Sequence, residues 1–354
     1  MASFTPNALP LLIGSLPMED HAKALALVLD HTPDIPLWVQ LPAFRQEGMI
    51  QQFLPGLPGL TQKEGAAFIN TKDPQFDEAF VQFFEDYLAL SEPTADFAAS
   101  RFAFTPETGK GFSYFLSTVD RDPGRFAALK GQVTGPITFC TAVKDEADRD
   151  IFYNDQLRDA AVKRLAMNAR WQAKEFAQRG TTPIIFLDEP ALAGFGTSAY
   201  ITITRADAQA CIDEIAQEIH AENGLAGVHV CANTEWDLLL DSSIDIISFD
   251  AFSYFDRFIL YPKAIKEFLG RGGILAWGIV PTGDAQVIAE QTVDGLSEKL
   301  EDQIKQVAGL GFSRNDILSQ SFVTPSCGTG SLDLASATQV LTLTQQVSKK
   351  IRQA

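Results

Sequence analysis

The stretch "GVHVCANTEW" (227–236) sets His229 and Cys231 two positions apart at the end of a β-like run. The chain has four histidines and four cysteines in 354 residues, so this pairing concentrates scarce groups. Strand side chains alternate between faces, which lets residues i and i+2 aim the same way. His229 and Cys231 could therefore ligate one soft or borderline metal. Two buried core residues would explain an isolated H-x-C as well, because free cysteine is often fully buried. The pair gains meaning only if further ligands reach the same place.

Positioning them is the task of the surrounding elements. Short apolar, β-branched runs alternate with longer stretches of helical period, the pattern of a parallel α/β fold. The runs are 9–17, 35–42, 129–136, 183–190, 227–231, 244–252, 272–281 and 317–328. Helical stretches are expected near 19–31, 155–179, 205–224, 284–310 and 333–352, with Ile212, Ile215 and Ile219 forming one buried face. A long excursion, 43–127, follows the second run; within it Phe80, Phe83, Phe84 and Tyr87 form an aromatic stripe on a helix over 77–90, read as core. The glycine fingerprint of a dinucleotide-binding fold does not follow an early strand. The count predicts one (β/α)8 TIM barrel over 1–354, with 43–127 as an elaborated connection after strand two.

Barrel active sites gather at the C-terminal ends of the strands. Those positions hold Gly14 and Ser15, Gln40, Asp188 to Pro190, His229 and Cys231, Asp250, and Cys327. His229, Cys231 and Cys327 form an N/S2 set on one rim, with Asp250 between strands five and eight. Zn2+ suits imidazole and thiolate together and brings no redox chemistry of its own. Ligands scattered over separate strands point to a catalytic zinc with an exchangeable position. Against this stands the plainer possibility of two reduced core cysteines and a histidine satisfied by a backbone carbonyl.

Composition narrows the function. Forty-five acidic against 28 basic residues give a net charge of −17, which repels nucleic acid. No apolar run approaches the roughly 18–20 residues of a membrane span. The opening "MASFTPNALPLLIGSLP" lacks a basic region and reads as a first strand, and the four separated cysteines suggest reduced thiols in the cytoplasm.

Six motifs in order, "IGSLP", "TGPIT" (134–138), "FLDEPAL" (186–192), "HVC" (229–231), "DIISFDA" (245–251) and "PSCG" (325–328), give the chain a family likeness. It resembles the catalytic C-terminal domain of cobalamin-independent methionine synthase. The wider superfamily also holds uroporphyrinogen decarboxylase and the corrinoid:coenzyme M methyltransferases. The resemblance implies a zinc held by His229, Cys231, Asp250 and Cys327. Asp250 stands where methionine synthase has Glu, and its shorter arm makes Cys140 a rival ligand. The resemblance also implies that Ser15 and Asp188 hold the amino-acid part of homocysteine. A Ser15 hydroxyl could bind a carboxylate and Asp188 an ammonium; equally, Ser15 could be a turn residue and Asp188 a cap.

The implied activity is a zinc-dependent thiol S-methyltransferase acting on a small-molecule thiol, homocysteine giving methionine, or coenzyme M. Zinc would present the substrate sulfur as a thiolate, since a free alkyl thiol has a pKa of about 8.5. The family's folate-protonating histidine is replaced by Ile279 in "WGIVP" (277–281), and only Thr141 and Ala142 stand where an aromatic residue is expected after "TGPIT". A methylcobamide, free or on a corrinoid-carrying protein, needs no leaving-group proton and is the expected donor; Asp256 or a water could restore the acid and with it a methylfolate donor. Three alternatives remain. Uroporphyrinogen decarboxylation would leave the thiol set unexplained and needs early arginines, the first here being Arg45. A phosphate loop at "CGTGS" (327–331) competes with a turn in which Ser331 caps the last helix. A zinc-binding protein without turnover would have a closed site.

Overall fold

A computed structural model describes residues 4–63, 65–90, 96–197, 200 and 202–353. Nine strands are defined among them: β1 Leu9–Pro10, β2 Leu60–Lys63, β3 Ala66–Ile69, β4 Ala128–Thr134, β5 Thr182–Asp188, β6 Leu225–Val230, β7 Ile246–Phe249, β8 Ile274–Val280 and β9 Ser321–Pro325. Seven form one parallel sheet in the order β1-β9-β8-β7-β6-β5-β4; β2 and β3 pair as a separate antiparallel hairpin. Strands β4 to β9 are almost wholly buried, as a parallel sheet covered on both faces requires.

The expected regular eight-stranded barrel is corrected by this sheet. Residues 35–42 stand between the sheet's two edges but make only single bridges, Leu37 to Lys130 of β4 and Gln40 to Ser15. The Trp38 amide reaches the Lys130 carbonyl at a long 3.4 Å, and the Gln40 amide reaches the Gly14 carbonyl at 3.1 Å. Pro36 and Pro42, at either end of the segment, have no N–H to extend a ladder. The first strand is shortened for the same reason, Pro10 being half of it. The α/β class stands, with seven paired strands in the sheet.

Alternation along the strands explains how the inner face changes character. Leu11, Ala128, Ile184, Phe186, Ile246, Ile274, Ala276 and Phe322 pack into one apolar cluster at the N-terminal part of the sheet. Two residues further on, the same face carries Asp188 after Phe186, Ser248 after Ile246, and Thr324 after Phe322. The inner face is therefore oily below and polar at the C-terminal rim.

Helices lie along the outer face. The expected helices appear at His21–His31, Phe76–Ala89, Asp155–Ala177, Arg205–Ala221 and Leu334–Gln353. Ile212, Ile215 and Ile219 are fully buried, and Phe83 anchors the aromatic stripe in the core. The stretch 284–310 divides into Ala285–Ala289 and Val293–Ala308, the second capped by the Thr292 hydroxyl on the Gly295 amide. Ser331 does not cap the last helix. Asp333 does, accepting from the Ser336 amide at 2.9 Å.

The excursion 43–127 holds the β2–β3 hairpin, two short 3-10 turns and two helices. Arg164, fully buried on Asp155–Ala177, ties it down by donating to the carbonyls of Pro55 (2.6 Å) and Phe102 (2.8 Å). Burial without an acidic partner pulls its pKa down to about 9.

Candidate metal centre and adjoining cavity

Two of the sequence motifs form a clasp under the rim. Glu189, fully buried, accepts from the amides of Ile137 (2.8 Å) and Thr138 (2.9 Å) and from the Thr138 hydroxyl (2.7 Å). That hydroxyl in turn accepts from the Ala191 amide at 3.0 Å. The carboxylate thus occupies the N-terminus of the helix Pro136–Ala142 and locks "TGPIT" to "DEPAL". Gly135 is required here, because a Cβ would stand 2.1 Å from the Glu189 Cγ. Burial lifts the Glu189 pKa to about 7, against the lowering effect of the Thr138 hydroxyl and the two amides.

This clasp fixes Asp188 one residue earlier, beside His229 in the β5–β6 register. His229 is 4% exposed. Its Nδ1 lies 3.0 Å from the Ser248 hydroxyl, while its Nε2 is buried without a hydrogen-bond partner. Nδ1 donating to Ser248 leaves a lone pair on Nε2, the arrangement found behind metal-bound imidazole. The sulfurs of Cys231 and Cys327 approach that ring, and the ligand atoms of the three residues all lie within 4.8 Å of one another. The two thiols interact: the hydrogen bond from the Cys327 thiol holds the Cys231 pKa low, and the same contact pushes Cys327 up. An acceptor nitrogen beside two sulfurs, one of them easily ionised, is the donor chemistry of zinc.

Asp250 is not part of the group of three. Its Oδ1 accepts from the Ser253 amide at 2.8 Å, capping the helix Ala251–Phe258. Burial raises its pKa, with that amide opposing. The Oδ1 of the short Asp arm is engaged by its own helix, and the three ligand atoms gather without the fourth ligand expected there. Cys140 is no substitute. It is fully buried within Pro136–Ala142, and burial pushes its thiol well above the ordinary value.

A cavity of about 370 Å³ opens beside the three ligands, lined by Ser15, Gln40, Glu47, Asp188, His229 and Cys327 among others. Asp188 is 7% exposed, and its Oδ1 has no hydrogen-bond partner. Burial raises its pKa, with the charge of Lys130 opposing. Lys130, unremarked in the sequence, is fully buried on the inner face, donating to the Ile13 carbonyl and lying over the Phe186 ring. Burial brings its pKa down to about 8. Ser15 has a structural commitment as well: its hydroxyl accepts from the Gly330 amide at 3.2 Å, and its carbonyl from the Thr329 amide at 3.1 Å. A Cβ on Gly328 would meet the Ser15 Oγ at 2.4 Å, so the glycines of "CGTG" allow the loop to close on Ser15.

Ser248 was not singled out in the sequence. The signal available for it was parity: it pairs with His229 in register, two residues before Asp250 on the same face. Ile279 is fully buried on β8.

No family model matches the chain, and no curated protein matches it. Among solved structures, the chain is similar to a GH20 catalytic module of the pneumococcal exo-β-D-N-acetylglucosaminidase StrH. Identity is 10% and the TM-score 0.45, covering 98% of this chain and 86% of that one. The expected zinc-dependent methyl transfer to homocysteine or coenzyme M, with its place in methionine biosynthesis, is corrected here: no family model and no curated protein supports it, and it is not retained. The methylcobamide donor and the corrinoid-carrying partner were tied to that reaction and go no further. So distant a likeness does not bring glucosaminidase activity to this chain in its place. No helix among the described residues is long and apolar enough to cross a membrane.

Proposed function

We propose that this chain is a zinc-binding protein whose metal faces a cavity for a small thiol. His229, Cys231 and Cys327 would hold the ion, and three protein donors leave a tetrahedral zinc one exchangeable position. The observation that carries the reading is the His229 ring: Nδ1 is engaged by Ser248, and Nε2 is buried, unpartnered and beside two sulfurs. A buried nitrogen lone pair costs free energy unless something binds it.

When bound, zinc would act as a Lewis acid that favours the thiolate form of an incoming thiol. The chain's own residues supply the rest. Asp188 offers an unpartnered buried oxygen to a cationic group on the ligand, such as an ammonium. Lys130, buried below, supplies positive charge that favours an ionised Asp188. The cavity volume suits a molecule of amino-acid size and is near the low end of small-ligand sites.

Zinc-edge X-ray absorption of the loaded protein tests this, with homocysteine as the probe. A gain of one sulfur neighbour on adding it is the expected result. An unchanged coordination shell would remove the thiol and leave a zinc site closed to ligands.

A further inference from the structure

The four cysteines fall into two classes. Cys140 and Cys211 are buried among helices, and burial pushes both thiols upward, Cys211 to about 12. Cys231 and Cys327 are half-buried and have their sulfurs within 4.8 Å of each other, and Cys327 lines the adjoining cavity. The second pair comes from strands that are not neighbours: β8 and β7 separate β9 from β6. A bond between them would cross the rim and join the chain's two most distant ligand-bearing loops.

We propose that Cys231 and Cys327 form a reversible disulfide in the metal-free protein, so that a peroxide closes the site by oxidising its ligands. The sulfurs lie within 4.8 Å, and a disulfide needs about 2.05 Å. Cys327 stands just past the end of β9 and Cys231 just past β6, so each is carried by loop backbone and not fixed within a ladder. One sulfur attacks the peroxide, breaking the O–O bond and becoming a sulfenic acid as the first water leaves. The second sulfur then attacks the sulfenic sulfur, the S–S bond forms, and a second water departs. Two thiols have lost two electrons to one hydrogen peroxide, and both thiol hydrogens end in water.

The pairing itself does not depend on the zinc reading. Protection by zinc does, and the two can fail separately. The full chain, stripped with a chelator, is treated with stoichiometric hydrogen peroxide, and its thiols are counted before and after reduction. The expected result is a fall from four free thiols to two, fully restored by dithiothreitol, with one linked peptide pair containing Cys231 and Cys327. Cys231→Ser and Cys327→Ser should each lose that linked pair, whereas the Cys140→Ser, Cys211→Ser double variant should retain it. Preloading with zinc should slow the loss about tenfold or more. An equal rate with and without zinc, the disulfide still forming, would count against the zinc reading and leave the pairing supported. Retention of four thiols, a linked pair through Cys140 or Cys211, or sulfinic acid without any linkage would overturn the proposal.

Discussion

His229 on β6 and Ser248 on β7 face each other across the sheet, with Nδ1 3.0 Å from the hydroxyl oxygen. This contact occupies Nδ1 and leaves Nε2 without a hydrogen-bond partner, in a ring whose ligand atom lies within 4.8 Å of the Cys231 and Cys327 sulfurs. A partner of this kind orients the ring and fixes its tautomer before any ion arrives.

Replacing Ser248 by Ala should therefore weaken zinc binding about 10–100-fold without removing a ligand. Chelator competition measures it. Ser248→Thr, which keeps a hydroxyl, should recover most of the loss. Unchanged affinity in Ser248→Ala would mean that the ring is oriented by packing alone.

Asp250→Ala separates a cap from a ligand. With its Oδ1 on the Ser253 amide, the carboxylate stabilises the helix Ala251–Phe258, and its loss should cost about 1 kcal/mol. Zinc content should stay at the wild-type level. Thermal unfolding and metal analysis on the same preparation give both answers. A large fall in zinc would restore Asp250 to the ligand set.

Glu189 gives the chain a pH signature. Its folded pKa, about 7, lies above its ordinary 4.5, because burial disfavours the charged form. The folded state therefore binds the extra proton between those values. The stability this contributes is complete below about pH 4.5 and is lost as pH rises through about 7. Unfolding of chelator-treated wild type and Glu189→Gln across that window should show a flatter pH dependence in the variant. Parallel curves would show that Glu189 titrates normally. Chelation keeps metal linkage out of the comparison.

Arg164→Met tests the anchor of the excursion. The variant leaves the Pro55 carbonyl without its donor, at a cost of about 1–3 kcal/mol for a buried acceptor that water cannot reach, while the Phe102 carbonyl keeps the Asn168 amide at 2.8 Å. Limited proteolysis should then cut first between residues 55 and 103. Equal resistance in wild type and variant would show that the aromatic contacts of Phe83 and Phe102 hold the excursion by themselves.

What could be read in the sequence was whatever periodicity and residue type control. The apolar runs found β4 through β9, and i, i+2 parity placed His229 and Cys231 on one face with Cys327 across the rim. Parity could not foresee that a side chain on the right rim is already engaged locally. Asp250 caps its own helix, and Asp333, not Ser331, begins the last one. The segment 35–42 has strand-like composition, yet prolines 36 and 42 limit it to single bridges. Glu189 was noted only as a strand-end position and Lys130 not at all, because their importance lies in partners 52 and 117 residues distant, Ile137 and Ile13. The motifs "TGPIT" and "DEPAL" drew attention through family likeness, while their contact with each other is a structural clasp.

The central claim is that three residues from β6 and the end of β9 hold one zinc. Metal analysis of the purified chain, alongside the Cys231→Ser, Cys327→Ser double variant, tests it most directly. The account predicts one zinc per wild-type chain and essentially none in the variant, with both proteins folded by circular dichroism. Full zinc retention in the double variant, or a wild-type chain that takes up no zinc when it is supplied at micromolar concentration, would contradict it.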